Sequence, residues 1–150
     1  MRTHLAITDW RIKRALVEAT EAALGLADHE TADDFLRELE SLPPGELGPF
    51  LQAHGGRLRA HLDAARGRVA GIDERFSAAA SMFREFGYVF RLAVTQVEHA
   101  EWLESQGRSD EAEPLRAEAR ETFANLQAAP WLERAAAATA EPEPVDAATS

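Results

Sequence analysis

Three side chains at helical spacing are the strongest candidates for chemistry. His54, Arg57 and His61 stand at i, i+3 and i+7, on one face of a helix. An arginine fork flanked by imidazoles can grip a carboxylate or a phosphate. The same spacing also suits a solvated outer face. A second cluster, Glu98, His99 and Glu101, has the residue types of a metal site. A carboxylate and a histidine three or four apart on one helix can share an ion. Here Glu98 and His99 are adjacent and point about 100° apart. His99 and Glu101, two apart, also diverge. No matching carboxylate–histidine pair stands on another helix, so no metal and no other cofactor is expected.

Nucleophilic chemistry has no foothold. The chain has no cysteine, no Gly-x-Ser-x-Gly and no phosphate-cradling glycine loop. Gly55-Gly56 lacks the lysine and the spacing such a loop needs. A protein that is not an enzyme is expected. The alternative is a helical-bundle metal-binding enzyme or a small-ligand sensor built on Glu98, His99 and Glu101.

Charge narrows the partners. The formal net charge of −10 argues against nucleic acid, which calls for a basic surface. It also disfavours an anionic membrane. No apolar run approaches the roughly 18 residues of a membrane span, and no signal peptide is visible. A cytoplasmic setting is the expectation. At 150 residues the chain is long enough for one domain with a core.

The elements that must carry these residues are helices. Leu92 to Gln106 has apolar or small residues at offsets of three and four, and Gly107 stops it. Ser109 or Asp110 can cap the next helix, which carries Ala112, Leu115, Ala119, Phe123 and Leu126 on one face. The turn between them is short, so the two helices pack as an antiparallel hairpin.

Earlier in the chain the same reading gives a helix from Asp9 to about Leu26, with Ile12 and Leu26 in its apolar set. Trp10 would lid the end of the array. A helix capped by Thr31 runs to about Leu42, where Pro43-Pro44-Gly45 ends it. A third helix begins between Glu46 and Phe50 and reaches Arg66, with Gly55 and Gly56 marking a kink or a close neighbour. A fourth spans roughly Val69 to Phe86. Pro130 starts a last short helix to about Ala138 that caps the array. Trp102, Phe123, Phe83, Phe86 and Trp131 are read as core. The acidic, proline-containing tail, residues 139–150, is expected to be disordered.

The hairpin's landmarks recur twice upstream at one fixed offset. Gly107 falls on Gly67 and then on Ala27, and Ala100 on Ala60 and Thr20. Ala112 falls on Ile72 and Ala32, and Ala119 on Ala79 and Leu39. Phe123 falls on Phe83, then on Pro43. Self-similarity at a fixed period of this size is the signature of stacked repeats.

Ala100, Gly107, Ala112 and Ala119, echoed by Ala60, Gly67 and Ala79, resemble the small-residue pattern of tetratricopeptide repeats. The period is longer than that family's, which implies longer helices or turns. More narrowly, MFREFGYVFRLAVTQVEHAEWLESQGR and DEAEPLRAEARETFANLQAAPWLERA resemble the C-terminal helical repeats of large bacterial regulators that carry an ATPase module with a nucleotide-cyclase or DNA-binding domain. The likeness covers Pro44 to Ala135 and brings no nucleotide-binding or cyclase motif with it.

The resemblance implies an all-α fold over residues 1–138. It would be a right-handed array of antiparallel hairpins, three repeats of roughly 40 residues plus a C-terminal capping helix. The resemblance also implies that the first helix of each repeat lines a concave groove, which selects Arg14, Glu21, His54, Arg57, His61, Val97, Glu101 and Glu104. The partner would be a protein or peptide, and the scaffold a regulatory or adaptor module. A homodimer through an end face is a further expectation.

Overall fold

A computed structural model describes residues 10–137, and every regular element among them is helical. The helices are α1 (Trp10–Gly25), α2 (His29–Glu40), α3 (Pro44–Ala65), α4 (Ile72–Glu85), α5 (Val89–Ser105), α6 (Ser109–Leu126) and α7 (Ala129–Ala137). The chain divides into two compact units, Met1–Tyr88 and Val89–Ser150. The expected lid role of the Trp10 side chain and the expected disordered tail lie outside the described residues.

What shapes both units is a helix stop that repeats. At Gly67 and Gly107 the backbone turns left-handed, with φ of 80° and 77°. The N–H of Gly67 bonds to Ala64 O and that of Arg68 to Asp63 O; Gly107 bonds to Glu104 O and Arg108 to Leu103 O. This pair of bonds is the Schellman ending, which satisfies carbonyls the helix leaves open. Ala27, in the equivalent place, makes the same ending with φ of 60°, through Ala27 N–H to Leu24 O and Asp28 N–H to Ala23 O. Gly87 and Gln127 do likewise. The later stops therefore fall evenly, at Gly67, Gly87, Gly107 and Gln127, and every second one marks the hairpin period.

Burial follows that period. Ala32, Ile72 and Ala112 are fully buried, as are Phe83 and Phe123, and Ala60 and Ala100. In the first unit, Val17, Leu36, Leu39, Leu51, Leu58 and Leu62 form the core, with α1 packed on α2 and α3, α2 on α3, and α3 on α4. In the second, Ala93, Val94, Val97, Ala119, Phe123 and Ala135 form it, with α5 on α6 and α7, and α6 on α7. The Phe50–Phe83 pair meets edge-on at 6.1 Å between centroids, and Phe90–Phe123 does so at 5.7 Å. The second pair is the first moved on by one period, Phe50 to Phe90 and Phe83 to Phe123. Such aromatic pairs add about 1 kcal/mol beyond the area they bury.

Several helix ends differ from the sequence reading. Asp28, not Thr31, caps α2: its carboxylate accepts from the Thr31 N–H at 3.3 Å and from the Thr31 hydroxyl at 2.8 Å. Arg108 occupies the N-cap of α6 and makes no side-chain capping bond, so neither Ser109 nor Asp110 caps it. α4 starts at Ile72 because Gly71 takes φ of 82° just before it. The break in α3 is at Gly48, with Pro49 restarting the helix, and not at Gly55-Gly56. A Cβ at Gly55 would lie 3.5 Å from Leu39, so α2 does pass close there; one at Gly56 would meet nothing within 4 Å.

Phe86, expected in the core, is 52% exposed, and Leu26 and Leu126 are exposed too. The reason is common to all three. Each is the residue just before a left-handed stop, where the helix ends and its buried face no longer continues. Ile12 is also exposed.

Candidate functional site

The residues named for a groove fall into two clusters, one in each unit. In the first unit, Arg57 Nη1 donates to Glu21 Oε2 at 2.8 Å and to His54 Nδ1 at 3.1 Å. A guanidinium carries only donors, so Nδ1 accepts and the imidazole N–H is on Nε2. The His54 ring lies edge-on to Phe50 at 4.6 Å and to Phe83 at 5.1 Å. His54 and Arg57 are buried, at 2% and 6% exposure, so the expected polar strip is turned inward. The period explains it: Arg57 occupies the slot filled by Val17 and Val97, both buried. His61 is half-buried, against the edge of Phe76 at 5.4 Å. Arg14 stays at the surface, its guanidinium carbon 5.7 Å from the Phe50 ring centroid.

Val97 is fully buried in the second core, so a solvent-facing position for it is corrected. Glu101 and Glu104 are half-buried and held by arginines. Arg134 Nε and Nη2 donate to Glu101 Oε2 and Oε1 at 2.9 and 2.7 Å. Arg116 Nε and Nη2 donate to Glu104 Oε2 and Oε1 at 2.8 and 3.1 Å. Arg116 is itself completely buried, and its Nη1 donates to Ala135 O at 2.7 Å and Arg134 O at 3.2 Å, closing the end of α7. Sequence reasoning missed Arg116. A signal was present, because the matching positions of the earlier copies hold Phe76 and Leu36, both core residues.

A third network was also missed. Asp33, on α2, accepts from Arg59 Nη1 at 2.7 Å and from Arg37 at 2.8 Å, and Arg66 stands 3.6 Å away. Arg59 closes a two-point fork on Glu40 at 3.1 and 2.9 Å. The hydrogen bond from Arg59 holds the Asp33 carboxyl below its usual range, against the opposing pull of burial; the charges of Arg59, Arg37 and Arg66 add to the lowering. Arg59 is pushed the other way, first by its hydrogen bond to Glu40 and then by that to Asp33, with burial opposing.

Among the described residues, no three His, Cys, Asp or Glu side chains gather as a metal site would require. Glu98 and His99 are buried, and Glu101 is drawn to Arg134. Also among the described residues, no helix is long and apolar enough to cross a membrane.

One concavity in the first unit has a mixed lining. It holds about 180 Å³ between Arg14, Leu47, Pro49, Phe50, Leu51 and Tyr88. Gly48, whose backbone stands at φ 79° and ψ 159°, lines it as well. No protein-family model matches the chain, and no curated protein and no solved structure matches it either.

Proposed function

We propose that the chain is a non-enzymatic scaffold of tetratricopeptide-like antiparallel hairpins that binds a protein or peptide. It would serve as a regulatory or adaptor module of the kind found at the C-terminal end of bacterial regulators. The observation that carries the reading is the recurrence, one period apart, of the same helix stop and the same phenylalanine pair. Packing supports it. In the first unit α1, α2 and α3 contact one another, and in the second α5, α6 and α7 do so, each a first helix, its partner and the next first helix. Stacked repeats of this sort act as stiff surfaces on which side chains are displayed. The buried polar clusters then serve rigidity, and the half-buried groups Arg14, Glu21 and His61 stand where a partner can reach them.

The test is capture by the full chain, identification of the retained protein by mass spectrometry, and calorimetric titration with that protein. The expected result is micromolar binding that weakens at least about tenfold with His61→Ala or Glu21→Gln, while circular dichroism stays unchanged. Retention of nothing above the bare matrix would overturn the scaffold reading.

A further inference from the structure

We propose that the concavity between Arg14 and Tyr88 is an anchor pocket for a partner segment in which an apolar side chain stands beside a carboxylate. The proposal rests on the scaffold reading and names what that scaffold grips. Size is the first argument. The pocket's 180 Å³ is close to the roughly 150 Å³ of an apolar cavity that holds one benzene ring. It is below the roughly 300–1,000 Å³ of sites for drug-sized molecules. One ring or one branched side chain is of a size to fill it.

Lining is the second argument. Leu47, Pro49, Phe50 and Leu51 offer apolar surface, and the Tyr88 ring packs 4.8 Å from that of Phe50. The charge on the rim is Arg14. Its ion pair within the described residues is a single contact to Glu18 at 3.5 Å, with side chains 43% and 66% exposed. Exposed pairs of this kind hold weakly, so an incoming carboxylate can take the guanidinium fork in two-point geometry. The Tyr88 phenol supplies a second donor.

The chain's net charge of −10 does not forbid an acidic partner. At physiological salt, charges more than about 8 Å away are largely screened, and the nearby arginine decides.

The test uses the full chain, ¹⁵N-labelled, with four probes: acetyl-Asp-Phe-amide, acetyl-Asn-Phe-amide, acetyl-Asp-Ala-amide and phenylacetate. The first is expected to shift the Gly48 and Tyr88 amide signals saturably. The asparagine and alanine probes should bind at least about fivefold more weakly, and phenylacetate should too, since its single methylene cannot separate ring and carboxylate as the two side chains of the dipeptide do. Arg14→Gln should reduce the first probe to the level of the asparagine one, with an unchanged melting curve; Tyr88→Phe should weaken it less. Equal binding of the aspartate and asparagine probes overturns the proposal, as does silence at Gly48 and Tyr88 up to the solubility limit. Phenylacetate binding as tightly as the dipeptide also overturns it, in favour of a small-acid site. If the probes fail while a captured protein still depends on Glu21 or His61, the pocket assignment falls and the scaffold reading stands.

Discussion

Arg116, with no solvent exposure, holds both carboxylate oxygens of Glu104, and its remaining nitrogen reaches the last carbonyls of α7. Removing one partner of such a pair leaves a charge without compensation. Arg116→Ala is expected to cost about 3 kcal/mol in urea unfolding and to loosen α7 in hydrogen exchange. The double variant Arg116→Leu/Glu104→Gln should recover much of that, because leucine fills the equivalent slot at Leu36. Equal losses in the single and double variants would count against the pairing.

Ala27 and Gln127 take a left-handed backbone, with φ of 60° and 58°, where Gly67, Gly87 and Gly107 stand in the other stops. A residue with a Cβ is disfavoured there by about 1–2 kcal/mol. Ala27→Gly and Gln127→Gly are each expected to stabilise the fold by roughly 1 kcal/mol, seen as a raised melting temperature. Gly67→Ala and Gly107→Ala should do the opposite. No atom lies within 4 Å of the added Cβ at either glycine, so the loss would come from the backbone alone.

Two glycines of α3 should respond with opposite signs. Gly48 combines φ of 79° with ψ of 159°, a region essentially reserved for glycine. Gly48→Ala is expected to cost about 1–3 kcal/mol. Gly56 sits in regular helix with open space beside it, so Gly56→Ala should gain about 1 kcal/mol. Chemical denaturation of the two variants checks both.

Asp33 gives the fold an acid-side dependence. Its folded carboxyl is lowered, chiefly by the hydrogen bond from Arg59. A depressed folded value adds stability that is present above the unfolded carboxyl range and is lost as pH falls through the folded one. Unfolding free energy should therefore drop as pH falls below about 4. Asp33→Asn should be less stable than the parent at pH 7 and show a smaller drop on acidification.

The helices and their period are legible in the sequence because both follow from local pattern. Small buried residues recur one period apart, Ala60 with Ala100 and Ala79 with Ala119, and a glycine stop needs no knowledge of the rest of the chain. Exposure is less legible wherever a helix ends. Leu26, Phe86 and Leu126 continue the apolar stripe in sequence but stand one residue before the turn, beyond the reach of the core. The candidate site is obscured for a similar reason. His54 and Arg57 lie on a polar-looking face, yet position 57 is a core slot in all three copies. Whether Arg57 pairs inward with Glu21 is set by packing between helices and not by spacing along one. Tyr88 carries no signal of its own, because nothing in the sequence shows that Gly48 opens a hollow beside it.

α7 begins one full period after α5, where another first helix would stand. The described part of the molecule thus finishes on half a module. Its gene could lengthen or shorten by whole modules, and each new junction would reuse a stop already present. A cut of any other size would hand a core position to water, so surviving length variants should differ by multiples of that quantum.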